Sequence, residues 1–170
     1  MKTKRNLKLS LACLEQEQII FDLLSSGRRY QRSLGFVQWE DGYPDIASVR
    51  SDILKQRANI FTVDGQVAGY ISIGYSDEPA YMDIDGAFRL QGDYAVFHRI
   101  TLSGDFRGQG LASELIRLAE DKAKSRVNYV RIDTHKDNEI MRKVVKRSGY
   151  VYCGTVKMRG SERYAFDKFI

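Results

Sequence analysis

Residues 98–120, HRITLSGDFRGQGLASELIRLAE, constrain the fold more than any other stretch of this chain. The preceding Tyr94–Leu102 segment is rich in aromatic and β-branched residues and predicts a strand. Gly108 and Gly110 then mark a loop. From about Gly110 to Ser125, Leu111, Leu115, Leu118 and Ala119 recur at helical spacing. A strand that feeds a long helix through a glycine loop points to a sheet with helices packed on its faces.

The rest of the chain supplies the remaining elements. Leu7 and Leu9 alternate in a short strand, and Leu14, Ile20, Phe21, Leu23 and Leu24 predict a helix ending near Gly27. Residues 28–44 read as irregular and carry Tyr30, Phe36, Trp39, Tyr43 and Pro44. Asp45 is placed to cap a second helix whose apolar face is Ile46, Val49, Ile53 and Leu54. Residues 59–63 and 67–74 read as strands joined by an Asp64-Gly65 turn, followed by an acidic loop with Asp77, Glu78, Asp83, Asp85 and Asp93. A strand over residues 129–134 precedes a helix from Asp137, with Ile140, Met141, Val144 and Val145 inward and Gly149 as its stop. Two strands around Arg159-Gly160 complete the chain. The expected fold is α/β (α+β), one domain over residues 1–170, with a mixed central sheet of about six to seven strands flanked by about four helices.

Composition narrows the function classes. The chain is 43% hydrophobic and 29% charged, as expected of a globular protein. No run approaches the ~20 apolar residues of a membrane span. The basic start is interrupted by Lys8 and Glu15 before any signal-peptide core forms, so the expected location is cytoplasmic, with no membrane partner. Cys13 and Cys153 form no ligand motif, and His98 and His135 are the only histidines, so no metal is expected. Residues 1–98 hold 11 Lys/Arg against 13 Asp/Glu, whereas residues 99–170 hold 16 against 9. A basic half suits nucleic acid or a small polyanion. Arg142, Lys143, Lys146 and Arg147 could meet nucleic acid, but they oppose an apolar stripe and read as a solvated helix face.

The glycine loop favours the polyanion. Backbone amides at a helix N-terminus cradle a diphosphate, aided by the helix dipole. Gly108 and Gly110 allow close backbone approach, Ala112 leaves room, and Arg107 adds positive charge at the mouth. The loop lacks the Gly-Lys-Ser/Thr ending of a P-loop, and Ser113 stands where a dinucleotide fingerprint needs its third glycine.

Arg107-x-x-Gly110-x-Ala112 closely resembles the coenzyme A-binding motif of the GNAT superfamily of N-acetyltransferases. RIDTHKDNEIMRKVVKRSGYVYCG, residues 131–154, and DGQVAGYISI, residues 64–73, resemble further segments of that family. The resemblance implies an acetyl-CoA-dependent N-acetyltransferase. Ile100, Thr101 and Leu102 would hydrogen-bond the pantetheine arm on a strand splayed by a bulge. The amides of Arg107, Gly108, Gln109, Gly110, Leu111 and Ala112 would hold the pyrophosphate. Asn138 would contact acetyl-CoA, or simply cap its helix. The acceptor, an amine of unspecified class (small molecule, peptide or protein), would enter near the first helices, with Tyr30, Trp39 and Tyr43 as walls and Asp41 or Asp45 as ammonium partners.

The reaction itself sets further needs. An alkyl amine with a pKa of about 10.4 must lose a proton before it attacks. His98, on the strand feeding the site, is the candidate base, against a structural role. The backbone N–H of Leu102 is the candidate oxyanion donor. Many members of the family carry a general-acid tyrosine seven residues after the asparagine; here that position is Val145. Tyr150 is the substitute acid considered, against a role in the core, as is Tyr152. A thioester on Cys153 would need an activated thiolate, so direct transfer in a ternary complex is expected. Val145 also keeps open an alternative, a non-catalytic acetyl-CoA- or CoA-binding regulatory module. An exposed sheet edge would suit a homodimer.

Overall fold

The computed structural model describes residues 5–39 and 42–170. Among these residues eight strands, β1 Leu7–Leu11, β2 Ala58–Val63, β3 Gln66–Tyr75, β4 Asp85–Gly86, β5 Ala95–Leu102, β6 Tyr129–His135, β7 Val151–Met158 and β8 Ser161–Phe169, form one mixed sheet. Among the described residues four α-helices accompany them: α1 Glu17–Ser33, α2 Ile46–Leu54, α3 Leu111–Ala123 and α4 Glu139–Arg147. The strand order is β1-β2-β3-β5-β6-β8-β7-β4. The strand beyond the expected seven is β4, two residues inside the acidic segment read as a loop. It pairs antiparallel with β7 through Asp85↔Thr155 and Gly86↔Gly154.

The chain falls into two compact units, Met1–Ser72 with Arg99–Ala119 and Ile73–His98 with Glu120–Ile170, and β3 and β5 contribute residues to both. In the first unit β1 pairs antiparallel with β2, and β2 with β3. Ile20, Leu23 and Leu24 of α1 meet Val49 and Ile53 of α2, Trp39, Ala58, Ile60 and Tyr70 in its core. In the second, β5 runs parallel to β6 over Ala95–Phe97, and β6 and β7 both pair antiparallel with β8. Its core includes Tyr81, Phe88, Tyr94, Val96 and Tyr129. No described helix is long and apolar enough to cross a membrane.

Two local expectations change. Helix α1 does not end at Gly27 but runs on to Ser33, into the stretch read as irregular. Gly27 is interior because β5 comes close there: a Cβ on it would lie 2.6 Å from Oγ1 of Thr101 and 3.1 Å from the Trp39 ring. Glycine here answers to packing rather than to helix termination. On α4, Val145 alone of the four expected inward residues is fully buried, and Ile140 is exposed. Asn138 caps that helix, one of the two roles expected of it, its side chain accepting from the Met141 amide at 3.1 Å.

Candidate active site

The glycine loop lies in the first unit. After β5, a 3-10 turn over Gly104–Phe106 leads through Arg107–Gly110 into α3. Gly108 and Gly110 stand at φ 72° and 77°, a region that costs an L-residue about 1–2 kcal/mol. No atom lies within 4 Å of a Cβ built on either glycine, so the backbone is open to an approaching group. The first amides of α3 have no partner within the helix and carry its positive dipole end. An open, glycine-lined backbone at a helix start fits a diphosphate.

Arg107 does something other than offer charge at the mouth. Its guanidinium lies 4.2 Å from the Tyr30 ring centroid, Nη2 donates to Oγ of Ser26 at 3.2 Å, and Nε donates to the Leu102 carbonyl at 3.1 Å. The side chain therefore ties the loop to α1 and to the end of β5. Burial, and then the nearby Arg29 charge, lower its pKa, against an opposing pull from Tyr30. Gln109 folds along the loop, its Nε2 donating to the Asp105 carbonyl at 2.7 Å and its Oε1 accepting from Arg5 at 2.8 Å.

The aromatic residues expected to line the acceptor site have separate fates. Trp39 is 4% exposed and belongs to the core of the first unit, which replaces the wall expected of it. Tyr30 carries Arg107. Tyr43 is half-buried, and its hydroxyl accepts from Nε and Nη2 of Arg99 at 3.2 and 2.9 Å. Asp45 caps α2, accepting from the Ser48 amide at 2.8 Å. Asp41 lies outside the described residues.

Arg99 and Asp52 were not singled out from sequence. Arg99 is at φ 54°, inside β5 and immediately before Ile100. A non-glycine residue held there costs about 1–3 kcal/mol and breaks the regular strand. Its Nη1 donates to Oδ2 of Asp52 at 2.7 Å, and the same oxygen accepts from the Tyr70 hydroxyl at 2.7 Å. Burial first, then the Asp52 charge, raise the Tyr70 pKa well above the usual value, so it stays a donor. The signal available in sequence was a carboxylate at 52 between Val49 and Ile53, on the apolar stripe of α2.

The second unit holds the other candidates. Half-buried His98 has Nε2 2.9 Å from Oε2 of Glu78 and Nδ1 3.8 Å from Oδ1 of Asp133. Asp133 is buried and also accepts from Tyr81 at 2.7 Å and from Arg163 at 3.1 Å. Tyr150 is 4% exposed; burial, reinforced by the Glu120 carboxylate, pushes its pKa far above the usual value. That makes it a poor proton donor. Tyr152 is half exposed. Cys153 has its thiol pushed up to about 12, by burial first and then by Asp167. His135 is buried, accepts the Asp137 amide at Nδ1, and has its pKa lowered chiefly by burial.

Comparisons with known proteins give the family and the fold. The sequence model of the Acetyltransferase (GNAT) family matches residues 23–150. A GNAT-family acetyltransferase structure from Streptococcus agalactiae 2603 is 32% identical, with a TM-score of 0.90, covering 96% of this chain and 95% of that one. One from Listeria monocytogenes 4b F2365 is 23% identical, with a TM-score of 0.76 and the same coverage. The aminoglycoside acetyltransferase AAC(6')-Ib in complex with coenzyme A shares the fold at 16% identity and a TM-score of 0.71, covering 96% and 95% of the two chains. No curated protein sequence matches significantly.

Proposed function

Because the chain belongs to the GNAT acetyltransferase family, we propose that it transfers the acetyl group of acetyl-CoA to a primary amine by direct attack within a ternary complex. The observation that carries this reading is the loop Arg107–Ala112, with two left-handed glycines and open space at the start of α3. Acetyl-CoA would supply an activated acetyl thioester. Loop amides would bind its diphosphate, and the backbone of Ile100–Leu102 would hold the pantetheine arm. Arg107 braces that loop from behind, and the Leu102 N–H would face developing negative charge.

His98 would take the amine proton, with its Nε2 held 2.9 Å from Oε2 of Glu78. The usual tyrosine position is filled by Val145, fully buried in the core. The leaving thiolate then departs unprotonated or takes its proton from water. The high pKa of Cys153 supports direct attack over a thioester on the protein.

The test is a melting-temperature titration with acetyl-CoA, using ATP, NADH and a short RNA as controls. At 100 times its dissociation constant a ligand stabilises by about 2.7 kcal/mol, readily visible in a protein of this size. Gly110→Val should abolish the shift while leaving the unliganded protein folded. A panel of small amines, peptides and protein N-termini then identifies the acceptor by release of free thiol. Selective binding without turnover on any amine would favour the regulatory reading. No shift with millimolar acetyl-CoA would overturn both.

A further inference from the structure

The left-handed residue in β5 is an arginine whose three guanidinium nitrogens are all engaged. Nη1 reaches Asp52 on α2, while Nε and Nη2 reach the Tyr43 hydroxyl. Each partner is itself held. Asp52 is 5% exposed and accepts from Tyr70 on β3, and the Tyr43 carbonyl accepts from Arg28 on α1 at 3.3 Å. A strained backbone torsion persists only where its surroundings over-determine it. Here the surroundings are a three-nitrogen grip on the side chain of the residue that carries the strain.

We infer that Asp52 and Tyr43 are positioning residues for acetyl-CoA, acting through Arg99 to hold the kink in β5 that presents Ile100–Leu102 to the pantetheine arm. This rests on the proposed function, because it assigns those three residues to the arm. Arg99 directly precedes them, so a change in its φ redirects every N–H and C=O that follows. The sequence spends a buried carboxylate on the apolar face of α2 to secure it. The hydrogen bonds span 47 residues to Asp52 and 56 to Tyr43, so the grip is tertiary throughout.

The experiment measures acetyl-CoA dissociation constants by calorimetry, well below the melting temperature, for wild type, Tyr43→Phe, Asp52→Asn and Asp52→Asn/Arg99→Gly. Tyr43→Phe removes only a hydroxyl and guards against loss of folding in Asp52→Asn; circular dichroism checks each variant. Affinity should weaken by about tenfold in Asp52→Asn and by less in Tyr43→Phe. It should return toward wild type in the double variant, since glycine adopts the left-handed torsion without a grip. A lower melting temperature with unchanged affinity in both single variants would reduce the cluster to a structural one and overturn the inference. Weakened affinity that glycine does not rescue would overturn the backbone route. Wild type that fails to bind acetyl-CoA would instead overturn the proposed function.

Discussion

Nε2 of His98, on β5, lies 2.9 Å from Oε2 of Glu78, a residue from the acidic segment between β3 and β5. The pair joins the candidate base to a stretch that sequence alone presents as solvated charge. Glu78 also accepts the Ala80 amide at 3.3 Å, so its carboxylate is anchored at both oxygens.

Replacing Glu78 by Gln should lower turnover by about tenfold or more while leaving acetyl-CoA affinity unchanged, because the imidazole loses the negative charge that favours its protonated form. The stability effect depends on pH. Burial pulls the Glu78 pKa upward, but the His98 hydrogen bond and charge and the Ala80 amide outweigh it, leaving the pKa below the unperturbed 4.5. A depressed carboxylate stabilises the fold above 4.5 and loses that contribution as pH falls through its lowered value. Wild type should therefore melt above Glu78→Gln near neutrality, with the gap closing in acid. A gap constant across that range would contradict a depressed Glu78 carboxylate.

Gly27→Ala sets two effects of opposite sign against each other. Removing glycine from a helix interior gains about 1 kcal/mol, but a Cβ 2.6 Å from Oγ1 of Thr101 overpacks the α1–β5 contact at a cost of about 1–3 kcal/mol. The clash should win, and denaturant unfolding should show a less stable protein. Adding Thr101→Ala removes the nearest atom, so the double variant should be more stable than the sum of the single effects by about 1 kcal/mol. Additive effects would place the constraint elsewhere.

Tyr150→Phe should change turnover by less than about twofold, since burial and the Glu120 carboxylate keep the phenol protonated. Steady-state kinetics with the identified amine decides it. A loss of about a hundredfold or more would restore Tyr150 as the proton donor.

Cys153 should resist alkylation at neutral pH, because its thiol is pushed up to about 12. Exposed Cys13 should take the label instead. Mass spectrometry after incubation with acetyl-CoA should show no acetyl group on Cys153, and Cys153→Ala should keep its turnover. An acetylated Cys153 that delivers its acetyl group to an amine would replace direct attack with a two-step route.

What the sequence by itself determined was carried by signals only a few residues long. The strand–loop–helix passage through Gly108 and Gly110, the Asp45 cap, and the Asp64-Gly65 turn each depend on neighbours within a turn or a ladder step. They survive reading one residue at a time, and they include the loop on which the proposed function rests. Tertiary structure alone decided what residues far apart do to each other. Gly27 reads as a helix stop until β5 approaches it, and Trp39 reads as a pocket wall until α1 and α2 close over it. Arg107 reads as a ligand for phosphate until Tyr30 and Ser26 claim its guanidinium. Arg99 and Asp52, 47 residues apart, read as ordinary charges until burial pairs them. The reason is physical: torsional preference and capping act locally, whereas burial and ion pairing take their energy from partners that only the folded chain brings together.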